Sequence, residues 1–169
     1  ALYGSLKINN VGSSVTLGAA TTVAGDLTIT AGTLDASASN FALNVGGNWV
    51  GGGAFTPRSG TVTLTGAAQS ITTTTTFFNL TLDGSGVKTI TPVTTINGTL
   101  TLSGTATATT AAAMTMGSLT IGSGTTFTIA KAHYSTTGMT EQQMRQSFDL
   151  VPQVDRKLGK DACREMLKG

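Results

Sequence analysis

The chain contains few charged residues. Asp, Glu, Lys and Arg make up 11% of its 169 residues, and the net charge is +2, whereas about 25% of residues are charged in an average globular protein. Binding to nucleic acid depends on clustered Lys and Arg, and no such cluster is present. The composition therefore predicts that nucleic acid is not a partner.

Histidine, cysteine and long apolar runs are also scarce. His133 and Cys163 are the only residues of their types, so an internal disulfide is excluded and a metal site built on this pair is weakly supported. No G-x-S-x-G nucleophile elbow or phosphate-binding loop occurs. We expect no enzyme activity, catalytic residue, cofactor or metal. No apolar run approaches the ~20 residues that span a bilayer, so no membrane span is expected.

The few charges divide the chain into two parts. Residues 1–130 contain three acidic and three basic side chains, whereas residues 131–169 contain five acidic and seven basic ones. Asp26, Asp35 and Asp83 are far apart in the first part, and general acid–base catalysis needs neighbouring carboxylates. We expect these three to be solvated turn residues, and we predict one domain over 1–130 and another segment over 131–169.

The first part consists of short alternating segments such as "LTIT" (27–30), "TVTLT" (61–65) and "TLTL" (99–102). Alternation of aliphatic residues with Thr is typical of a strand with one buried face. The intervening segments "GGNWVGGG" (46–53) and "DGSG" (83–86) are rich in glycine, which suits turns that need positive φ. The pattern therefore predicts a mainly β domain.

Two stretches of this domain align with each other. "TTVAGDLTITAG" (21–32) matches "TTINGTLTLSG" (94–104) at an offset of 73 residues, and flanking segments extend the match to two copies of a ~73-residue unit. Repetition through turns as well as strands is typical of a solenoid. We predict a short Thr/Gly-rich β-solenoid of five or six coils. The alternative is an antiparallel sandwich, which also has short strands at steady spacing.

A family resemblance rests on the order of motifs along residues 5–128. The motifs are "GNW" (47–49), Phe55, "SGTVTLTG" (59–66), "QSI" (69–71), "FFNLTL" (77–82) and "TTINGTLTL" (94–102). This order resembles the repeats of large, adhesin-like β-solenoid proteins that bacteria secrete or display on their surface. The resemblance implies a solenoid fold and an extracellular or cell-surface location, and it carries over no catalytic residue.

The segment 131–169 shows a helical pattern. Thr140 and Gln143 form a capping box, and Pro152 predicts a kink or two helices. We predict that the apolar stripe packs on the end of its own solenoid or against a neighbouring chain, or that the segment is a fragment of an unrelated protein. The stripe consists of Met144, Phe148, Val151, Val154, Leu158, Ala162 and Met166.

The sequence predicts an extracellular structural or adhesive module that self-assembles into a homo-oligomer or filament. The alternative is a ligand-binding module. An outward T-x-T face with Thr73 and Thr75 would suit ice, and an outward Trp49 would suit a glycan, although packing in the core is the competing interpretation of Trp49. The T-x-T pattern recurs at 28–30, 61–65, 72–76, 99–101 and 105–109.

Overall fold

The computed structural model of the chain describes residues 1–92 and 94–129. The predicted helical element at 131–169 lies outside these residues. So do the stripe residues for which we predict packing or assembly contacts, Met144, Phe148, Val151, Val154, Leu158 and Met166.

Sixteen strands make up the regular structure of the described residues. Their bounds are β1 Leu2–Tyr3, β2 Leu6–Thr16, β3 Thr21–Val23, β4 Leu27–Asp35, β5 Leu43–Val45, β6 Trp49–Val50, β7 Ala54–Thr56, β8 Thr61–Leu64, β9 Gln69–Ile71, β10 Thr75–Phe77, β11 Asn79–Leu82, β12 Val87–Ile90, β13 Thr94–Leu102, β14 Thr107–Thr110, β15 Met114–Ile121 and β16 Thr126–Ile129.

The strands wind into a parallel β-solenoid of about six turns. The longer strands bend where their pairing register shifts, at 8–14 in β2 and at 96–99 in β13, so each coil has three sides. The first face contains β1, β3, β5, β8, β11 and the second halves of β13 and β15. The second face contains the first halves of β2 and β4 with β6, β9, β12, β14 and β16. The third face contains the remaining strand segments.

The coil period is about 20 residues, as the pairings of Leu80 with Leu100 and of Lys88 with Ala108 show. The predicted β-solenoid of five or six coils is confirmed. The sandwich alternative is wrong, because every strand pairing among the described residues is parallel and joins successive coils.

The 73-residue offset is not a whole number of coils. Segment 21–23 pairs with 43–45 on the first face, whereas 94–96 pairs with 75–77 on the third. The aligned stretches are alike because both turn a corner on a glycine. A Cβ added at Gly25 would lie 2.7 Å from the Gly4 carbonyl oxygen, and a Cβ added at Gly98 would lie 2.9 Å from the Phe78 carbonyl oxygen. Both distances are too short for a side chain, so both corners need glycine. Similar corners on different faces therefore produced the match.

The core is a set of aliphatic columns that run along the solenoid. On the first face, one column places a buried residue of each of five successive coils directly above that of the coil before. Burial of each such side chain stabilises the fold by roughly 1.5–3 kcal/mol. The alternation seen in the sequence points these residues inward and their Thr neighbours outward. The column is Val23, Val45, Leu64, Leu82 and Leu102.

Candidate functional site: a threonine face on the solenoid

The outward side of the first face carries two columns of small polar side chains, which we call the threonine face. Strand pairing sets the register within each column. Columns of this kind repeat about every 4.8 Å between coils, and the two columns lie about 6.6 Å apart along each strand. One column is Thr22, Asn44, Thr63, Thr81, Thr101 and Thr120, and the other is Thr61, Asn79, Thr99 and Ser118.

Hydrogen bonds between coils fix the geometry of the threonine face. The Thr99 hydroxyl lies 2.7 Å from that of Ser118, and the Thr99 backbone N–H donates to the Asn79 side-chain oxygen at 3.0 Å. Most of these Thr side chains are half-buried between their neighbours above and below, and β-branching restricts χ1 further. The result is a regular array of hydroxyl and methyl groups without an ionisable side chain, which suits contact with ordered water or another uncharged polar surface.

Of the two residues predicted to face outward, Thr73 and Thr75, the structure corrects Thr75. Thr75 is buried on the third face, where its hydroxyl donates to the Thr73 backbone oxygen at 3.1 Å. Phe77 determines this orientation, because it is completely buried and lies two residues further along the same strand. Thr73 is half-buried, and the exposed residues of this run are Thr72, Thr74 and Thr76.

Trp49 lies in the core, so the outward glycan platform is wrong. Only 1% of Trp49 is exposed. Its ring makes edge-on contacts with Phe55 and Phe77, at centroid distances of 4.9 and 5.1 Å. The sequence left both orientations of Trp49 open, because β6 is only two residues long and its alternating pattern is too short to show which side is buried. The competing interpretation, packing in the core, is confirmed.

A buried polar pair, Gln69 and Lys88, occupies neighbouring coils of the second face. The Gln69 amide nitrogen donates to the backbone oxygens of Val45 and Gly47 at 2.9 and 2.5 Å. Its oxygen accepts from the Gly66 N–H at 2.8 Å and from the Lys88 ammonium at 2.9 Å.

Lys88 completes the pair by also donating to the Gly66 backbone oxygen. Burial lowers the pKa of Lys88, and the charge of Asp83 partly opposes this shift. Lys88 is completely buried, so its amine is not presented to a substrate. The pair satisfies backbone groups inside the solenoid, which is a structural role.

Asp35 also differs from the sequence-based expectation. It is buried rather than solvated, and Arg58 binds it with two hydrogen bonds of 2.9 and 2.6 Å. Together with the Ser37 backbone N–H, at 2.8 Å, Arg58 holds the pKa of Asp35 below its usual value. Asp35 and Arg58 lie one coil apart, so the ion pair ties successive coils together at a corner.

The other two acids of the domain also bond to the next coil. Asp26 accepts from the Asn48 backbone N–H at 2.6 Å. Asp83 accepts from the Ser103 hydroxyl at 2.7 Å, which lowers the pKa of Asp83. Within residues 1–92 and 94–129, no group of three or more His, Cys, Asp or Glu side chains is placed to hold a metal ion. The carboxylates of this domain therefore act as links between coils.

Comparisons with known proteins identify no relative. No protein-family model, curated protein or solved structure matches this chain. In the part of the chain that the structure describes, no helix has the length and apolar character needed to cross a membrane.

Proposed function

We propose that this chain is an extracellular structural or adhesive module, a stiff rod that takes part in self-assembly. One observation carries the proposal: the polar side chains inside and at the corners of the solenoid bond to adjacent coils. Gln69, Asp35 and Asp83 all do so. Side chains that are used for such links favour a scaffold function for the chain. The bacterial, adhesin-like character is inferred from the sequence resemblance.

The function of such a rod is mechanical. Six coils at about 4.8 Å each give a rod about 29 Å long, and its aliphatic columns and backbone ladders run parallel to the axis. Contacts in a solenoid are made between adjacent repeats, so further coils or further copies extend the rod without changing its cross-section. The small number of charged side chains in residues 1–130 also reduces repulsion between copies.

Electron microscopy and sedimentation velocity of the full chain test the self-assembly. We expect filaments or layered oligomers whose size grows with protein concentration and changes little with salt, since the contacts are largely uncharged. A chain that stays monomeric up to millimolar concentration would contradict self-assembly. It would leave a solitary scaffold or a binding module as the function.

The threonine face supports a second candidate function, which is binding to ice. Its two columns repeat at regular intervals in both directions, and the hydrogen bonds at Thr99 hold part of the array in place. A rigid array of hydroxyls and methyls can order a layer of water in the same pattern. This candidate moves the proposed ice-binding surface from Thr73 and Thr75 to the first face.

Thermal hysteresis measurements test ice binding. We expect hysteresis in the intact chain and at least a severalfold loss in the Thr81→Tyr/Thr101→Tyr variant, because two bulky rings in one column interrupt the flat array. The matched control is Thr76→Tyr/Thr95→Tyr, another outward pair in register on the third face. Ice binding is refuted if the intact chain shows no hysteresis or if both variants lose it equally.

A further inference from the structure

Exposed large apolar side chains concentrate at the two ends of the described solenoid. In the first coil, Leu2 is 77% exposed and Val11 is 82% exposed, and in the last coil Leu119 and Ile129 are 39% and 49% exposed. Among the described residues of the coils between, Val87, at 47%, is the only comparable one. An apolar residue alone on a surface is ordinary, whereas a cluster indicates an interaction site.

The core is also open at the outer side of the first coil. A cavity of about 250 Å³ lies at this end. No described strand pairs with the outer edge of β1 or β2, so both present unpaired backbone groups there. The aliphatic lining of the cavity consists of Leu6, Ile8, Val15, Leu17 and Leu34.

The last described coil provides the complementary edge. The second half of β15 and all of β16 end the two sheets. In a parallel solenoid one edge always accepts the following coil and the other accepts the preceding coil, so the two ends match each other. Side-chain charge does not oppose their contact, because Lys7 is the only charged side chain in residues 1–16 and residues 105–129 have none.

We infer that the two ends form an interface between copies, with the first coil of one copy seated on the last coil of another. This inference rests on the proposed self-assembly and names its surface and its partner, a second copy of this chain. The contact is parallel strand addition between unlike surfaces, which propagates into a filament.

The register of this contact follows if the columns of one copy continue into the next copy. The outward column that begins at Leu2 and Thr22 ends at Thr120. The inward column that begins at Leu6 and Leu27 ends at Ile129. Leu2 therefore lies beside Thr120 of the other copy, and Leu6 beside Ile129. Both columns then continue from one copy into the next across the junction.

Disulfide cross-linking tests this register. Neighbouring strands lie about 4.8 Å apart, within the Cα separation that a disulfide spans. On a Cys163→Ser background, we expect Leu2→Cys mixed with Thr120→Cys to form a covalent dimer under mild oxidation. Leu2→Cys alone should give little dimer. Val87→Cys mixed with Thr120→Cys is the matched control, and it should also give little dimer.

A charge substitution provides a second readout on the full chain. Leu2→Lys should raise the concentration at which half of the chains assemble by tenfold or more, whereas Val87→Lys should shift it less than twofold. If the chain assembles but neither the cross-link nor Leu2→Lys differs from its Val87 control, the end-to-end interface is wrong and self-assembly stands. Efficient dimerisation of Leu2→Cys alone would show like ends meeting, which also overturns the interface. A chain that never assembles refutes both.

Discussion

Trp49→Ala should lower the free energy of unfolding by about 3–5 kcal/mol, the usual loss for a large aromatic side chain removed from a core. Trp49 is buried and packs edge-on against Phe55 and Phe77. These contacts link the second face to the third across the interior of the solenoid. Alanine leaves a cavity there, because the ladders of the adjacent coils hold the backbone in place and limit collapse. Urea denaturation followed by circular dichroism measures the change.

Val87→Ala is the matched control, because Val87 is exposed on an outer surface of the same rod. Its free energy of unfolding should change by less than about 0.5 kcal/mol. Trp49→Ala with wild-type stability would contradict the buried aromatic cluster. If that variant also lost retention on a polysaccharide, the outward glycan platform would be restored.

Gln69→Leu should be comparably destabilising, by about 3–5 kcal/mol, because it removes several hydrogen bonds at once, one of them to a buried charge. Lys88 loses the Gln69 oxygen, and the Gly66 N–H loses its acceptor. The backbone oxygens of Val45 and Gly47 lose a donor. Thr89→Ala is the control, since this neighbour points outward and should cost far less. Urea denaturation at neutral pH measures both variants.

A double-mutant cycle assigns the loss to the buried charge. Lys88→Met alone should cost less than Gln69→Leu, and Gln69→Leu/Lys88→Met should recover part of the stability, because an apolar pair leaves no charge to solvate. If Gln69→Leu costs the same with Met at 88 as with Lys, the two side chains are not coupled.

The pH dependence of stability gives an independent readout of Lys88. Burial lowers its pKa from the ordinary 10.5, so between the lowered value and 10.5 the unfolded chain binds more protons than the folded one. Stability should therefore rise with pH through that window, and Lys88→Met should lose this rise. The same slope in both proteins would contradict the burial of a charged Lys88.

The alternation of aliphatic residues with Thr predicted a mainly β domain and strands with one buried face, whereas the choice of a solenoid rested on the two stretches of sequence that align with each other. The period of the coil could not be obtained in the same way. Each coil turns several corners with the same strand–glycine–strand chemistry, so the stretches around Gly25 and Gly98 resemble each other although they lie on different faces. The 73-residue offset between the two stretches therefore reflects the similarity of their corners and not the length of a coil.

The polar contacts were beyond sequence reasoning for a different reason. Asp35 and Arg58 are 23 residues apart, and Gln69 and Lys88 are 19 apart. Such partners can be matched only once the register between coils is known. The orientation of Thr75 could not be predicted either, because Phe77 and Phe78 are adjacent in the sequence and only the structure shows that Phe77 is the buried one. The threonine face could also be recognised only once the register between coils was known, because each column contains one residue per coil.

Distances along the threonine face test the parallel coils most directly. Spin labels can be placed at Thr22 together with Thr81, Thr101 or Thr120, which lie three, four and five coils away in one column. Parallel coils about 4.8 Å apart predict separations of about 14, 19 and 24 Å between the labelled backbone positions. Separations that do not grow in this order by one coil spacing per step would contradict the solenoid and the functions proposed for it.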